Sequence, residues 1–188
     1  LLGSGFAQPQ RLVLNFVAVA MWLCGGMVYV WVISLIFYRY AFLRVAPQDF
    51  TPTYWINMGA MAISTLAGAS LVLNTANAPF LAGLLPVLKA GTLLCWAVGT
   101  WWIPLLGGLA GWRYLRAGHP LRYDVAYWGA VFPLGMYSAA TQQMAIALDL
   151  HFLLPLALGF FYLAAAAWVL AAAGLLAQLL RGARARRA

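Results

Sequence analysis

The sequence predicts an all-α membrane protein, a bundle of five transmembrane helices that forms a single domain over residues 1–188. Hydrophobic residues make up 65% of the chain and charged residues only 7%, which is more apolar than a soluble domain of this length needs to be. The apolar residues are gathered into five runs of about 20 residues or more, the length at which a helix crosses a bilayer. These runs cover residues 14–42, 54–73, 80–112, 127–148 and 152–180.

The first, third and fifth runs are long and rich in Leu, Val and aromatic residues, as is typical of helices that face lipid. Each is longer than a bilayer requires, so we expect these helices to tilt, bend or protrude. Pro86 and Pro104 give the third run two places to bend. Pro155 lies in the first turn of the fifth run, where a proline is tolerated.

The second and fourth runs are shorter and contain many small and hydroxyl-bearing residues. In the second run, Ala60, Ser64 and Gly68 recur every four residues, a spacing typical of close helix packing. In the fourth run, Phe132 directly precedes Pro133, which frees a backbone carbonyl. Both runs begin with Tyr-Trp and are followed by a longer apolar run, which indicates a repeated helical hairpin. Such repeats are common in transporters, although two copies do not distinguish a repeat from chance. We predict that these two helices are inner ones and line a path for an anion.

The distribution of arginines predicts the orientation. The loops and ends on one side of the membrane carry Arg11 alone, and those on the other side carry nine arginines. Because basic residues are enriched on the cytoplasmic side, the side with Arg11 is expected to face outward. The C-terminus is therefore predicted to be cytoplasmic, in a bacterial inner (plasma) membrane. The net charge of +8 then reflects topology and contact with anionic lipid headgroups, not a nucleic-acid partner. The nine arginines are Arg39, Arg44, Arg113, Arg116, Arg122, Arg181, Arg184, Arg186 and Arg187.

Several functional classes are disfavoured by residues that the sequence lacks. It contains no Glu, and its three Asp residues lie in predicted loops, whereas a proton or cation pathway usually places an acid inside the membrane. No paired nucleophile and base, phosphate-binding loop or redox motif is visible, so we predict no catalytic residue and no enzyme. His119 and His151 fall on opposite sides of the membrane, and Cys24 and Cys95 read as small core residues. We therefore expect neither a metal site nor a cofactor.

Candidate site residues each allow a structural and a functional interpretation. Lys89 either extends along its helix to the outer interface or attracts anions to the outer mouth. Phe132 either packs between helices or closes the path as a plug that a rotamer change opens. Hydroxyl and amide side chains of the inner helices either bond within the bundle or contact the solute, and small or helix-bending residues shape the path. This last set comprises Asn57, Ser64, Thr65, Gly68, Pro133, Gly135, Ser138 and Thr141.

Three ordered motifs carry a family resemblance that extends over residues 22–180. They are YWINMG at residues 54–59, continuing as AISTLAG at 62–68, then GTWWIPLL at 99–106 and FPLGMY at 132–137. The sequence thereby resembles the tellurite-resistance/C4-dicarboxylate transporter family. That family is related to plant slow-type anion channels within the voltage-dependent anion channel superfamily.

The resemblance implies a ten-helix bundle in which five helical hairpins surround a central pore and alternate helices line it. Five helices with a cytoplasmic C-terminus would match the sixth to tenth helices of that bundle. The implied partner is therefore the missing N-terminal half of the same protein, with the first five helices. The resemblance also implies a homotrimer with one pore in each subunit, and it makes Phe132 the gating residue. Without five further helices the ring cannot close.

The leading functional hypothesis is passive or secondary transport of small anions, namely a C4-dicarboxylate, sulfite, tellurite, or an inorganic anion such as halide or nitrate. Selectivity would then follow pore width and the weak field of kinked-helix dipoles. The alternative is a non-conducting membrane scaffold or assembly module, or an inactive truncated fragment. A scaffold predicts that bulky substitutions at Ser64 or Ser138 change the oligomeric state without changing flux.

Overall fold

A computed structural model describes residues 8–44, 46, 49–116 and 123–185. These residues form helices and no β-strand, which confirms the predicted all-α bundle. The α-helices are α1 (Gln8–Phe42), α2 (Ile56–Asn74), α3 (Pro79–Ala82), α4 (Leu85–Gly111), α5 (Trp128–Ala147) and α6 (Leu154–Ala185).

Four stretches of the described residues are long and apolar enough to cross a membrane, one fewer than the sequence predicted. Helix α5 has 20 residues but is not among them. Gln142 and Gln143 make it more polar than a helix that faces lipid. It is accommodated because it packs between α2 and α6. The four stretches are Gln10–Phe42, Pro52–Asn74, Leu85–Arg116 and His151–Gly182.

The third apolar run differs from the single helix that was predicted. It begins with the short helix α3, and a turn at Gly83 and Leu84 separates α3 from α4. Pro86 lies in the first turn of α4, where its missing N–H costs no hydrogen bond, so it marks the start of a helix and does not bend one. Pro104 lies inside α4, and a π-helical turn, Trp112–Arg116, follows the helix.

A short turn joins α5 to α6. Asp149 adopts a left-handed backbone conformation with φ of 61°, which Asp tolerates better than most side chains do. The N–H of Leu150 can therefore reach back 2.8 Å to the carbonyl of Ala145, which caps the end of α5. This cap sets the tight return of the chain along α5.

Helices α2 and α5 form the centre of the described bundle. They pack extensively against each other, while α4 packs against α2 and α6 against α5. Half of the most apolar stretch of α2 is buried, against 6% for α1 and 17% each for α4 and α6. The two helices with small residues therefore lie inside the long, Leu-rich ones, as their composition indicated. Close contact follows from residue size: Gly59 lies directly against Pro133.

Two indole groups connect α1 to the rest of the bundle, one to α2 and one to α4. The Nε1 of Trp22 donates a hydrogen bond of 2.8 Å to the backbone carbonyl of Ser64 in α2, and its ring lies over Gly68 and Gly91. The Nε1 of Trp102 in α4, a fully buried residue, donates a bond of 2.7 Å to the hydroxyl of Tyr29 in α1. These bonds satisfy polar groups that would otherwise be unpaired in an apolar surrounding.

Candidate functional site

One side of the α2–α5 pair is left uncovered by the other described helices. Its residues follow each other at intervals of three, four or seven, so they form one stripe on each helix. The opposite side of the pair contacts α4, where Gly68 meets Thr92 and Thr141 meets Trp96. We call the uncovered side the open face. Its residues are Ile63, Ala67 and Ser70 of α2 and Phe132, Ala139, Gln142 and Ile146 of α5.

The open face is uncharged. It combines small and aliphatic side chains with one amide, Gln142, one hydroxyl, Ser70, and one aromatic ring, Phe132. The Ser70 hydroxyl donates a bond of 2.8 Å to the carbonyl of Leu66, so its two lone pairs and the Gln142 amide are the polar groups available. Phe132 is 57% exposed and is the bulkiest side chain of this face.

Gly135 lies one helical turn after Phe132 on α5. A side chain added there would meet only ordinary contact, with the Cβ of Ala164 in α6 at 3.9 Å. Gly135 therefore lies toward α6, and Phe132 is the predicted residue that belongs to the open face.

The other predicted residues of α5 lie in contacts between helices. The Ser138 hydroxyl donates a bond of 2.7 Å to the carbonyl of Ala157 in α6. The Thr141 hydroxyl accepts a bond of 3.0 Å from Nε1 of Trp96 in α4. Pro133 is buried against α2. These side chains hold α5 to its three neighbours.

Two of the four predicted residues of α2, Ser64 and Gly68, lie at its contacts with α1 and α4. Thr65 is fully buried and donates to the carbonyl of Met61 at 2.8 Å, and the Ser64 hydroxyl donates to the preceding turn. Gly68 lies under Thr92 and the Trp22 ring. Asn57 is half-buried, and its Nδ2 has no hydrogen-bond partner among the described residues. None of these four residues belongs to the open face.

Lys89 lies apart from all of these residues. It is exposed and sits near the start of α4, which covers the side of α2 away from the open face. Its role in attracting anions remains a prediction, and it does not share a surface with Phe132.

Arg113 has a role that the sequence did not reveal. It was counted among the arginines that set the orientation, yet its side chain is only 8% exposed. Its Nη1 donates a bond of 3.0 Å to the carbonyl of Phe50, and the guanidinium lies 5.5 Å from the centre of the Tyr114 ring. It therefore ties the segment before α2 to the end of α4. Nothing in the local sequence distinguishes it from Arg116, which is exposed.

We expect Arg113→Met to destabilise the protein by about 1.5–3 kcal/mol, the usual range for a hydrogen bond to a charged group. The substitution keeps an apolar stem of similar length but leaves the Phe50 carbonyl without this donor. Thermal unfolding in detergent micelles measures the effect. Arg116→Met, one turn away and exposed, is the matched control and should leave the melting temperature unchanged. Equal melting temperatures for the two variants would show that the buried bond contributes little.

The family motif at residues 99–106 also has a structural explanation. Its Thr100 hydroxyl bonds the hydroxyl of Tyr137 in α5 at 2.7 Å, and its Trp102 bonds Tyr29 in α1. Tyr137 is buried and comes from the motif at residues 132–137. Two of the three motifs that carry the resemblance are thus joined by a hydrogen bond between helices.

Comparison with known proteins identifies one family and several relatives. The model of the voltage-dependent anion channel family matches residues 1–176. Two uncharacterized membrane proteins of Mycobacterium tuberculosis, from strains CDC 1551 and H37Rv, are each 38% identical over 122 residues, 65% of this chain and 61% of the relative. Two uncharacterized transporters of Methanocaldococcus jannaschii are each 28% identical over 120 residues, 64% of this chain and 33% of the relative.

The match therefore spans about three fifths of the mycobacterial relatives and a third of the archaeal ones. No solved structure matches the chain significantly. The relatives and the four apolar helices together identify an integral membrane protein.

Proposed function

The chain belongs to the voltage-dependent anion channel family, and we propose that its open face forms part of the wall of a transport path for small anions. The observation that carries the proposal is the uncharged, uncovered side of two central helices, with an exposed aromatic ring on it. The substrates we propose are C4-dicarboxylates, sulfite, tellurite and inorganic anions such as halide or nitrate. A path of this composition suits passive or secondary transport.

The chemistry of the open face supports an anion more than a cation. Its seven residues include no carboxylate that would replace the hydration shell of a cation. The Gln142 amide supplies two N–H donors, which suit an anion. Because these groups are few and neutral, binding is weak enough for an ion to leave again, and selectivity follows the width of the path.

The proposed gate is Phe132, and its surroundings support that role. Pro133 is buried against Gly59, where even a Cβ on Gly59 would lie 3.0 Å from the proline Cγ. The backbone beside Phe132 is therefore fixed by packing, while the ring itself is exposed and can change rotamer.

The buried polar residues hold α2 and α5 in position through contacts on the sides away from the open face. Ser138 and Thr141 fix α5 to α6 and α4, and Gly68 allows α2 to approach α4 closely. We propose that further helices complete the wall and that an N-terminal half of the same protein supplies them, in a homotrimer with one path per subunit, in a bacterial inner membrane with the C-terminus cytoplasmic.

Flux through liposomes that contain the complete protein tests this function. We expect chloride, nitrate, sulfite, tellurite or malate to enter, and potassium and sodium to be excluded. Passage of cations without any anion would refute the proposal. If neither passes although the protein is folded and assembled, the non-conducting scaffold becomes the better description. An anion series then ranks the substrates by size and charge.

A further inference from the structure

A partly open cavity of about 160 Å³ lies between the segment that precedes α2, the end of α4 and the start of α5. Ala130 and Leu134 line it from α5, on the opposite side of that helix from Phe132. It shares no residue with the open face, so it is a separate feature of the bundle. Five of the side chains that line it are aromatic: Phe50, Tyr54, Trp55, Tyr114 and Tyr127.

The polar groups at the cavity are neutral. Among the described residues that line it, none is charged, and those that carry a polar side-chain atom are three tyrosines, one threonine and one tryptophan. A tyrosine hydroxyl is protonated at neutral pH, so it carries no charge here.

The surroundings disfavour a charged ligand of either sign. A cation would lose its hydration without gaining an anionic partner from the lining, and an anion would lose its hydration without gaining a cationic one. Arg113, whose Nη1 donates to the Phe50 carbonyl, is not among the lining residues. A neutral molecule avoids both costs.

We propose that this cavity is a binding site for a small neutral molecule with one aromatic ring and one hydroxyl group, the chemistry of phenol. A cavity of roughly 150 Å³ lined by apolar side chains is known to accommodate benzene. Aromatic walls favour edge-to-face contact with a ring, and a tyrosine hydroxyl can exchange a hydrogen bond with the ligand hydroxyl. The site goes beyond the proposed transport path, because a molecule held here does not contact that path.

Ligand-detected ¹⁹F NMR with 4-fluorophenol, on the complete protein in nanodiscs, tests the proposal. We expect saturable binding to the wild type. Ala130→Leu and Ala110→Leu each fill the cavity from a different helix, so each should weaken binding at least tenfold. Ala139→Leu adds the same volume on the open face and is the matched control, with binding expected to be unchanged.

Three results would overturn the proposal. They are an absence of saturable binding to the wild type, undiminished binding to both filled variants, and binding of 4-fluorobenzoate as tight as that of 4-fluorophenol. The two filled variants lie on separate helices, so misfolding of one still leaves the other to decide. Because the readout is binding and not flux, failure here leaves the transport proposal untouched, and failure of transport leaves this site untouched.

Discussion

Replacing Phe132 with Ala is expected to raise anion flux through the complete protein by about tenfold. The ring is the bulkiest group on the open face, and its removal lowers both the steric and the dewetting barrier to an ion. A barrier lowered by about 1.4 kcal/mol corresponds to tenfold in rate. Because the ring is exposed, its loss leaves no internal cavity, so the fold should be retained. The measurement is the initial rate of chloride or nitrate entry into liposomes at matched protein density.

Phe16→Ala is the matched control for this experiment. Phe16 is 58% exposed, nearly the same as Phe132, but it lies on the outer helix α1, where its ring is 6.3 Å from that of Phe80. Its truncation removes the same atoms without touching the open face, so flux should stay at the wild-type rate. Unchanged flux in a normally folded Phe132→Ala variant would eliminate Phe132 as the gate. Equal increases in both variants would point to a general loosening of the bundle.

The sequence predicted the arrangement of helices because composition and packing are coupled in a membrane. Small residues permit close approach of backbones, so the helices that contain them lie in the centre, and the Leu-rich helices surround them. The Ala60–Ser64–Gly68 spacing illustrates this coupling. It was interpreted as a face for close helix packing, and the structure places the Trp22 ring and Thr92 against it.

The direction of individual polar side chains could not be predicted in the same way. Ser138 and Thr141 are suited equally to bond a neighbouring helix and to contact a solute, and only the positions of α6 and α4 decide between these roles. Arg113 contacts Phe50 across 63 positions of sequence, a separation at which no local pattern indicates a contact. The α3–α4 break was missed because Pro86 was interpreted as a bend, although it starts a helix.

Replacing Gly68 with Ala is expected to destabilise the protein by about 1–3 kcal/mol, the usual cost of inserting a methyl group into a packed contact. The new Cβ would overlap the Thr92 hydroxyl oxygen and lie 2.9 Å from the Trp22 ring. Neither neighbour can yield freely. Thr92 is fully buried and donates to the carbonyl of Leu88, and Trp22 is held by its bond to the Ser64 carbonyl. Helices α1, α2 and α4 must therefore separate locally.

Gly107→Ala in α4 distinguishes this overlap from the general effect of replacing a helical glycine. A Cβ at Gly107 would meet nothing within 4 Å, so this variant should keep or slightly raise the melting temperature, because Ala favours the helix by about 0.5–1 kcal/mol over Gly. Gly68→Ala gains the same helix preference, so a net loss of stability in that variant is caused by the crowding of the new methyl group. If Gly68→Ala melts at or above the temperature of Gly107→Ala, the contact among the three helices yields readily, and Trp22 does not fix α1 to the centre.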